Sequence, residues 1–394
     1  MEALLKPACA SFSFRKYSSN ERVYLRRDDS LCFTIRRSYL HDIGRKCNVK
    51  QSSKLSALAD NQGGHIEKLP NEKYALENNE LSLKHGDDGG YASLLHKLET
   101  FYHFCRPYAM MGIDIGILSI SLLPIQSIAD LSPRFFMGLL QALALGSLTH
   151  IYVVAVNQLF DVKIDEVNKQ YLPLASGEFS SRDVQAICLM VAMLSIGIVH
   201  VSKSPALLWG LVANYLFGTA YSAQLPFLRW KRHPLLAMST MVLWCALGVQ
   251  IPHFIHIQKY VLGRPNLITK SLIFQTIMLC TFCISGMILK DIPDTDGDRE
   301  NGIDTLSIRF GRERAFALGV NVLYAQFGLA MALGASSSLW FGKLISVLGH
   351  LALALVVWYR SRHIDPTNNS SAQSFYMFFW KLVCVEYLLI QFVR

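Results

Sequence analysis

Two stretches of this chain concentrate the side chains able to do chemistry. The first, NQLFDVKID, holds Asn157, Asp161 and Asp165. At helical spacing these three drift only slightly around the axis and project along one face over roughly 12 Å. The second, KDIPDTDGD, holds Lys290 and crowds Asp291, Asp294, Asp296 and Asp298 into eight residues. Such a density of carboxylates repels itself unless cations neutralise it. A calcium EF-hand does not account for it. With Gly297 as the loop glycine, Ile292 and Ile303 fall where the first ligand and the bidentate acid belong.

A third stretch, YSAQLPFLRWKR, supplies the opposite charge through Arg229 and Lys231, with Tyr221 at its start; Arg106 stands in FCRPYAMMG. Two carboxylate sets beside basic residues suit a diphosphate bridged by Mg²⁺, an ion that takes one or two carboxylates plus phosphate oxygens. The same Lys and Arg also satisfy the ordinary excess of positive charge on one face of a membrane protein.

The elements that position these residues are apolar. Of 394 residues, 52% are hydrophobic and 17% charged, more apolar surface than a soluble chain of this size buries. Nine apolar runs long enough to cross a bilayer as helices cover about 107–125, 135–160, 184–202, 205–223, 235–256, 269–289, 315–334, 339–358 and 374–393. Alternating topology puts both acid sets on the same side. That side also carries most of the connecting Lys and Arg, which makes it the cytoplasm-equivalent face. The net charge of +9 is spread between apolar blocks, so no nucleic-acid partner is expected. The nine cysteines are scattered and read as small hydrophobes rather than a disulfide or zinc framework.

Residues 1–91 differ from the rest: rich in Ser, Arg and Asn, with no long apolar run. They read as an organellar transit peptide, plastid or mitochondrial, followed by a linker, leaving 92–394 as the membrane domain.

The acid motifs resemble those of the UbiA-type intramembrane aromatic prenyltransferases. Asn-x-x-x-Asp-x-x-x-Asp is met by Asn157, Asp161 and Asp165, and Asp-x-x-Asp-x-x-x-Asp, in the plant form, by Asp291, Asp294 and Asp298. NKQYLPLASGEFS, YSAQLPFLRWKR and KDIPDTDGD are similar to the plant plastid branch, the homogentisate, flavonoid and coumarin prenyltransferases, and the likeness runs from about Phe101 to Arg394. The resemblance implies an all-α polytopic fold, a bundle of nine transmembrane helices with a central cavity under the acid motifs. It also implies an allylic prenyl diphosphate as donor, Mg²⁺ as cofactor and a plastid membrane, with the motif loops on the stromal side. Lys163, Gln170 and Asp114 depart from that branch's usual pattern, which favours a specialised acceptor.

On this reading Mg²⁺ is held through Asp161, Asp165, Asp291, Asp294 and Asp298, with Asn157 in the same motif. Arg106, Arg229, Lys231 and Lys290 bind the diphosphate. Tyr215, Phe217 and Tyr221 wall the allyl cation, and a phenolic ring carbon attacks. Asp114, about 12 Å deeper than Arg106, either binds the acceptor's phenol or pairs with a neighbouring helix. The expected acceptor is a plant phenol such as a coumarin or flavonoid taking dimethylallyl or geranyl, with homogentisate and a longer chain as the alternative. A cation-coupled transporter would require acids near the midplane of several helices and an internal repeat; the strong acid clusters lie at helix ends instead.

Overall fold

In the computed structural model the described residues are 18–19, 22–27, 31–36 and 89–392, except 266–267 and 338–339. Most of the expected leader therefore lies outside them. Its described part is an antiparallel ladder of β1 (Ser18–Ser19), β2 (Arg22–Arg27) and β3 (Leu31–Arg36), with Tyr24 opposite Thr34.

From Gly89 onward the described chain is all-helical. A short helix α1 (Gly89–Phe104) precedes the bundle. Helices then stand at each of the nine expected positions: α2 (Pro107–Leu122), α3 (Pro133–Asn168), α4 (Ser181–Ser202), α5 (Pro205–Ser222), α6 (Pro234–Val261), α7 (Lys270–Lys290), and, after two short helices α8 (Thr295–Glu300) and α9 (Leu306–Phe310), α10 (Arg312–Ala335), α11 (Trp340–Ser361) and α12 (Asn369–Leu389). Seven of the described helices are long and apolar enough to cross a membrane by length and composition. The two others at expected positions are α2, only 16 residues long, and α5, where polar residues such as Asn214 dilute the apolar character of 18 residues. The chain is thus a polytopic membrane protein.

Its outer surface has the chemistry this requires. On α11, Leu344, Leu348, Leu351 and Leu355 form an exposed stripe at helical spacing, and α4 turns Leu189, Met193 and Ile196 outward. Continuous apolar surface of this kind is stable against hydrocarbon, not water.

Helix starts follow local signals. Pro133 opens α3 after Ser132, whose hydroxyl accepts from the Phe135 amide, and Ser180 caps α4 with Asp183 completing the capping box. Helix α6 is broken by two π-helical segments, Trp244–Gln250 and His256–Val261, a distortion that often accompanies function. Around the interior α3 packs on α2 and α5, α5 on α6, α6 on α7, α7 on α12, and α12 back on α2. Close approach of α2 to α12 depends on small residues. A Cβ on Gly112 would meet the Trp380 ring at 2.7 Å, and one on Gly116 would meet Tyr387 Cζ at 2.6 Å. The closed ring leaves a cavity at its centre.

Candidate active site

The cavity opens among the acid motifs and is lined by residues of α2, α3, α5, α6, α7 and α12 and of the turns after α5 and α7. Helix α3 runs past the expected span end, to Asn168, with the Lys169 backbone N–H still donating to the Asp165 carbonyl at 2.7 Å. That extension carries Asp161 and Asp165, one and two turns beyond Asn157, into the interior, where Asp161 is 3% and Asp165 4% exposed. The second set sits at the C-terminal end of α7: Asp291 follows the last helical residue, Asp294 precedes α8, and Asp298 lies within it.

Asp161 is the hub of the first set. It accepts from Asn157 Nδ2 at 2.5 Å and from Arg229 at 3.4 Å, and is ion-paired to Lys231. Arg106 reaches down from the opposite side to donate to Asn157 Oδ1 at 3.3 Å. Both arginines stand at left-handed backbone positions, φ 49° and 59°, conformations that cost non-glycine residues of order 1 kcal/mol and recur at functional sites. In the second set Lys290 holds Asp291 at 2.8 Å and Lys169 holds Asp294 at 2.5 Å.

Asn168 joins the two sets. Its amide nitrogen donates to the Asp294 carbonyl at 2.9 Å and its amide oxygen accepts from the Gly297 N–H at 3.0 Å. Gly297 admits this contact by lacking a side chain: a Cβ there would stand 2.6 Å from Asn168 Cγ.

Six carboxylates line the cavity (Asp161, Asp165, Asp291, Asp294, Asp298 and Asp304) with four cations (Arg106, Lys169, Lys231 and Lys290); Asp304 is paired away from it with Arg309, and Arg229 stands behind Asp161. Burial pushes the Asp298 carboxyl up to about 7, opposed by Lys290 and reinforced by Asp291 and Asp294. Burial acts on Asp294 in the same sense, but Lys169 and Lys290 together hold it below the usual range. One oxygen, Asp165 Oδ2, is buried without a hydrogen-bond partner. Carboxylates crowded around one cavity, one of them with an orphaned oxygen, fit hard divalent cations. Among the described residues no three His, Cys, Asp or Glu groups converge to hold an ion alone. Mg²⁺ commonly completes its shell with substrate phosphate oxygens, so this does not count against the fit.

Several expected residues fall elsewhere. Arg229 is 4% exposed but does not line the cavity; it lies behind Asp161, donating also to the carbonyls of Phe160 and Ser222. It positions the aspartate rather than facing a substrate. Tyr215 also misses the cavity, stacking on Tyr152 at 3.9 Å between ring centres, while Phe217 and Tyr221 do line it. Asp114 does not line it either, because Ser147 Oγ of α3 donates to both its oxygens at 3.0 and 3.2 Å. Asp114→Thr is accordingly expected to lower thermal tolerance by about 1 kcal/mol with the acceptor KM unchanged. A shift in which acceptors react would restore Asp114 to the site. Asp296 is bonded away to Arg312 at 2.8 Å.

Other site residues escaped the sequence reading. Lys169 continues the four-residue spacing of Asp161 and Asp165, a signal available in the sequence. Tyr108, Tyr376 and Trp380 form an aromatic wall with ring centres 6.0 to 6.4 Å apart. Trp244 is oriented by its N–H bond to Asn214 at 2.7 Å. Nothing in the sequence singled these rings out from other aromatics.

The UbiA prenyltransferase family matches residues 120–382, more than half of the chain and including both acid motifs. The chain belongs to that family. As a UbiA prenyltransferase it is an alkyl-transferring enzyme, and its relatives are aromatic prenyltransferases. It is 48% identical over 301 residues to coumarin 8-geranyltransferase 1, chloroplastic, of Citrus limon, covering 76% of this chain and 74% of that protein. It is 46% identical over 301 residues to homogentisate geranylgeranyltransferase of Hordeum vulgare, with the same coverage. A UbiA homolog from Archaeoglobus fulgidus, solved bound to GPP and Mg²⁺, shares the fold with a TM-score of 0.50 at 16% identity, covering 72% of this chain and 99% of that one. The acceptors named for these two relatives differ, a coumarin in one and homogentisate in the other.

Proposed function

We propose that this enzyme transfers a dimethylallyl or geranyl group from its diphosphate to an aromatic ring carbon of a phenol such as a coumarin or flavonoid. It does so in a plastid membrane, with all nine helices crossing and the acid motifs on the stromal side. The observation that carries this reading is that two carboxylate sets line one cavity together with Tyr108, Trp244, Tyr376 and Trp380, with Asp165 Oδ2 buried and unpartnered. The chloroplastic citrus relative supports the acceptor class and compartment.

The residues divide the work. Asp161 and Asp165 on one side and Asp291, Asp294 and Asp298 on the other are the groups that would hold Mg²⁺. Bound there, the ion would offset diphosphate charge and make it a better leaving group. Arg106, Lys169, Lys231 and Lys290 line the same space and offset the remaining phosphate charge as the donor's C1–O bond breaks. Tyr108, Trp244, Tyr376 and Trp380 offer ring faces to the allyl cation, and Ile113, Val153, Val154 and Met287 keep water from quenching it. Attack by the phenol's electron-rich ring carbon forms the C–C bond, and loss of the ring proton restores aromaticity.

One feature favours a homogentisate transferase using a longer chain. The cavity shares Trp244, Met287, Tyr376 and Trp380 with a second, apolar chamber reaching Leu279, Phe282, Val383 and Tyr387. Membranes containing the protein, given Mg²⁺ and combinations of dimethylallyl, geranyl and geranylgeranyl diphosphates with coumarins, flavonoids and homogentisate, separate the two by product mass. A short-chain prenylated coumarin or flavonoid is the expected product. Exclusive turnover of homogentisate would refute the acceptor class, and Mg²⁺-independent diphosphate release would refute the metal assignment.

A further inference from the structure

Seven residues before Asn157 on the same face of α3, roughly 10 Å further into the bundle, stands His150. It lines the cavity together with Val153, Val154 and Asn157 and is 6% exposed. Its Nε2 lies 2.9 Å from the Cys105 carbonyl oxygen. A carbonyl only accepts, so Nε2 carries the proton and donates. In the neutral ring this leaves Nδ1 with a free lone pair. Among the described residues Nδ1 has no hydrogen-bond partner, yet it is not one of the sealed, unsatisfied polar atoms. It is therefore open to the cavity its side chain lines.

We infer that His150 Nδ1 accepts a hydrogen bond from the hydroxyl of the aromatic acceptor. This rests on the prenyl-transfer reading above and adds to it a residue that recognises the acceptor. The acid motifs fix where the diphosphate sits, and the acceptor ring must lie below it, between C1 of the donor and the floor of the cavity. Trp244 and Phe217, which line the same cavity, provide flat apolar contacts but no acceptor for a phenolic O–H. His150 supplies one, held in a single tautomer by the break between α1 and α2 at Cys105. A hydrogen bond that strengthens as the ring becomes cationic selects phenols over their ethers. It also raises electron density at the carbon ortho to the hydroxyl, where the new bond forms.

Two substitutions separate this role from simple anchoring of Cys105. In His150→Gln the amide N–H can still reach the Cys105 carbonyl, but no acceptor atom remains at the Nδ1 position. In His150→Asn the amide oxygen falls near the Nδ1 position and the Cys105 bond is lost. The measurement is acceptor kcat/KM for the best phenol found with the unaltered enzyme and for its methyl ether, alongside donor KM and thermal unfolding. His150→Gln is expected to lose at least about fivefold in acceptor kcat/KM. Its preference for phenol over ether should narrow while donor KM and unfolding temperature stay put. His150→Asn is expected to unfold at lower temperature and keep more of the phenol preference. If His150→Gln retains full acceptor kcat/KM and preference, or if donor and acceptor KM change together, the hydrogen bond is refuted and His150 only anchors Cys105. No turnover of any phenol by the unaltered enzyme refutes the prenyl-transfer reading, and this inference with it.

Discussion

Asp161→Asn is expected to leave inserted protein with turnover reduced about a thousandfold, since a lost metal-site carboxylate forfeits several kcal/mol of charge stabilisation. The side chain keeps its shape, so the effect isolates its charge. A second consequence follows from where Asp161 sits. Lys231 and Arg229, 9% and 4% exposed, both depend on it as their anion. Neutralising one partner of such a pair typically costs about 3–5 kcal/mol, whereas removing both charges is close to neutral. Asp161→Asn should therefore unfold at a clearly lower temperature, and adding Lys231→Met should restore much of that tolerance without restoring turnover. Asp291→Asn is expected to lose turnover similarly but to destabilise less, because its partner Lys290 is more exposed, at 31% of its side chain against 9% for Lys231. Near-normal rates in Asp161→Asn at saturating Mg²⁺ would remove the carboxylate from the metal site.

Asn168→Ala is expected to weaken the apparent Mg²⁺ affinity in turnover by about 10–100-fold, the cost of removing a residue that orients ligands without touching the ion. Asn168 is the side chain through which the α3 acids and the α8 acids are registered. It bonds both the Asp294 carbonyl and the Gly297 amide. Gly297→Ala approaches the same clamp from the other side, forcing the Asn168 amide away, and should reproduce the phenotype. Mg²⁺ titrations of donor binding and of turnover check both. An unchanged Mg²⁺ dependence in Asn168→Ala would mean that the two sets are held by their backbones alone.

Much of this was legible in the chain itself. Nine apolar runs predict nine helices, and helices stand at all nine positions because a bilayer leaves the backbone little alternative. The acids were found from their spacing, since carboxylates at four-residue intervals must share a helix face. What spacing does not show is which face turns inward: Arg229 and Tyr215, expected at the substrate, do not line the cavity, and Asp114 takes the helix-pairing alternative. Each has a polar or aromatic partner on another segment that satisfies it away from the cavity: Ser147 for Asp114, Asp161 for Arg229, Tyr152 for Tyr215.

By itself, then, the sequence determined the helices, the acid motifs and the kind of chemistry they run, because hydrophobic length and residue spacing are local properties. Only the tertiary structure decided that Asn168 would clamp the two motifs 126 to 129 residues apart in sequence. It also decided that α2 and α12 would close the ring to bring Tyr108 beside Tyr376 and Trp380, and that His150 would spend one nitrogen on Cys105 and leave the other facing the cavity. Those contacts depend on how helices far apart in the chain rotate against one another, and that rotation is set by close packing such as the Trp380 ring against the bare backbone of Gly112 rather than by either helix alone.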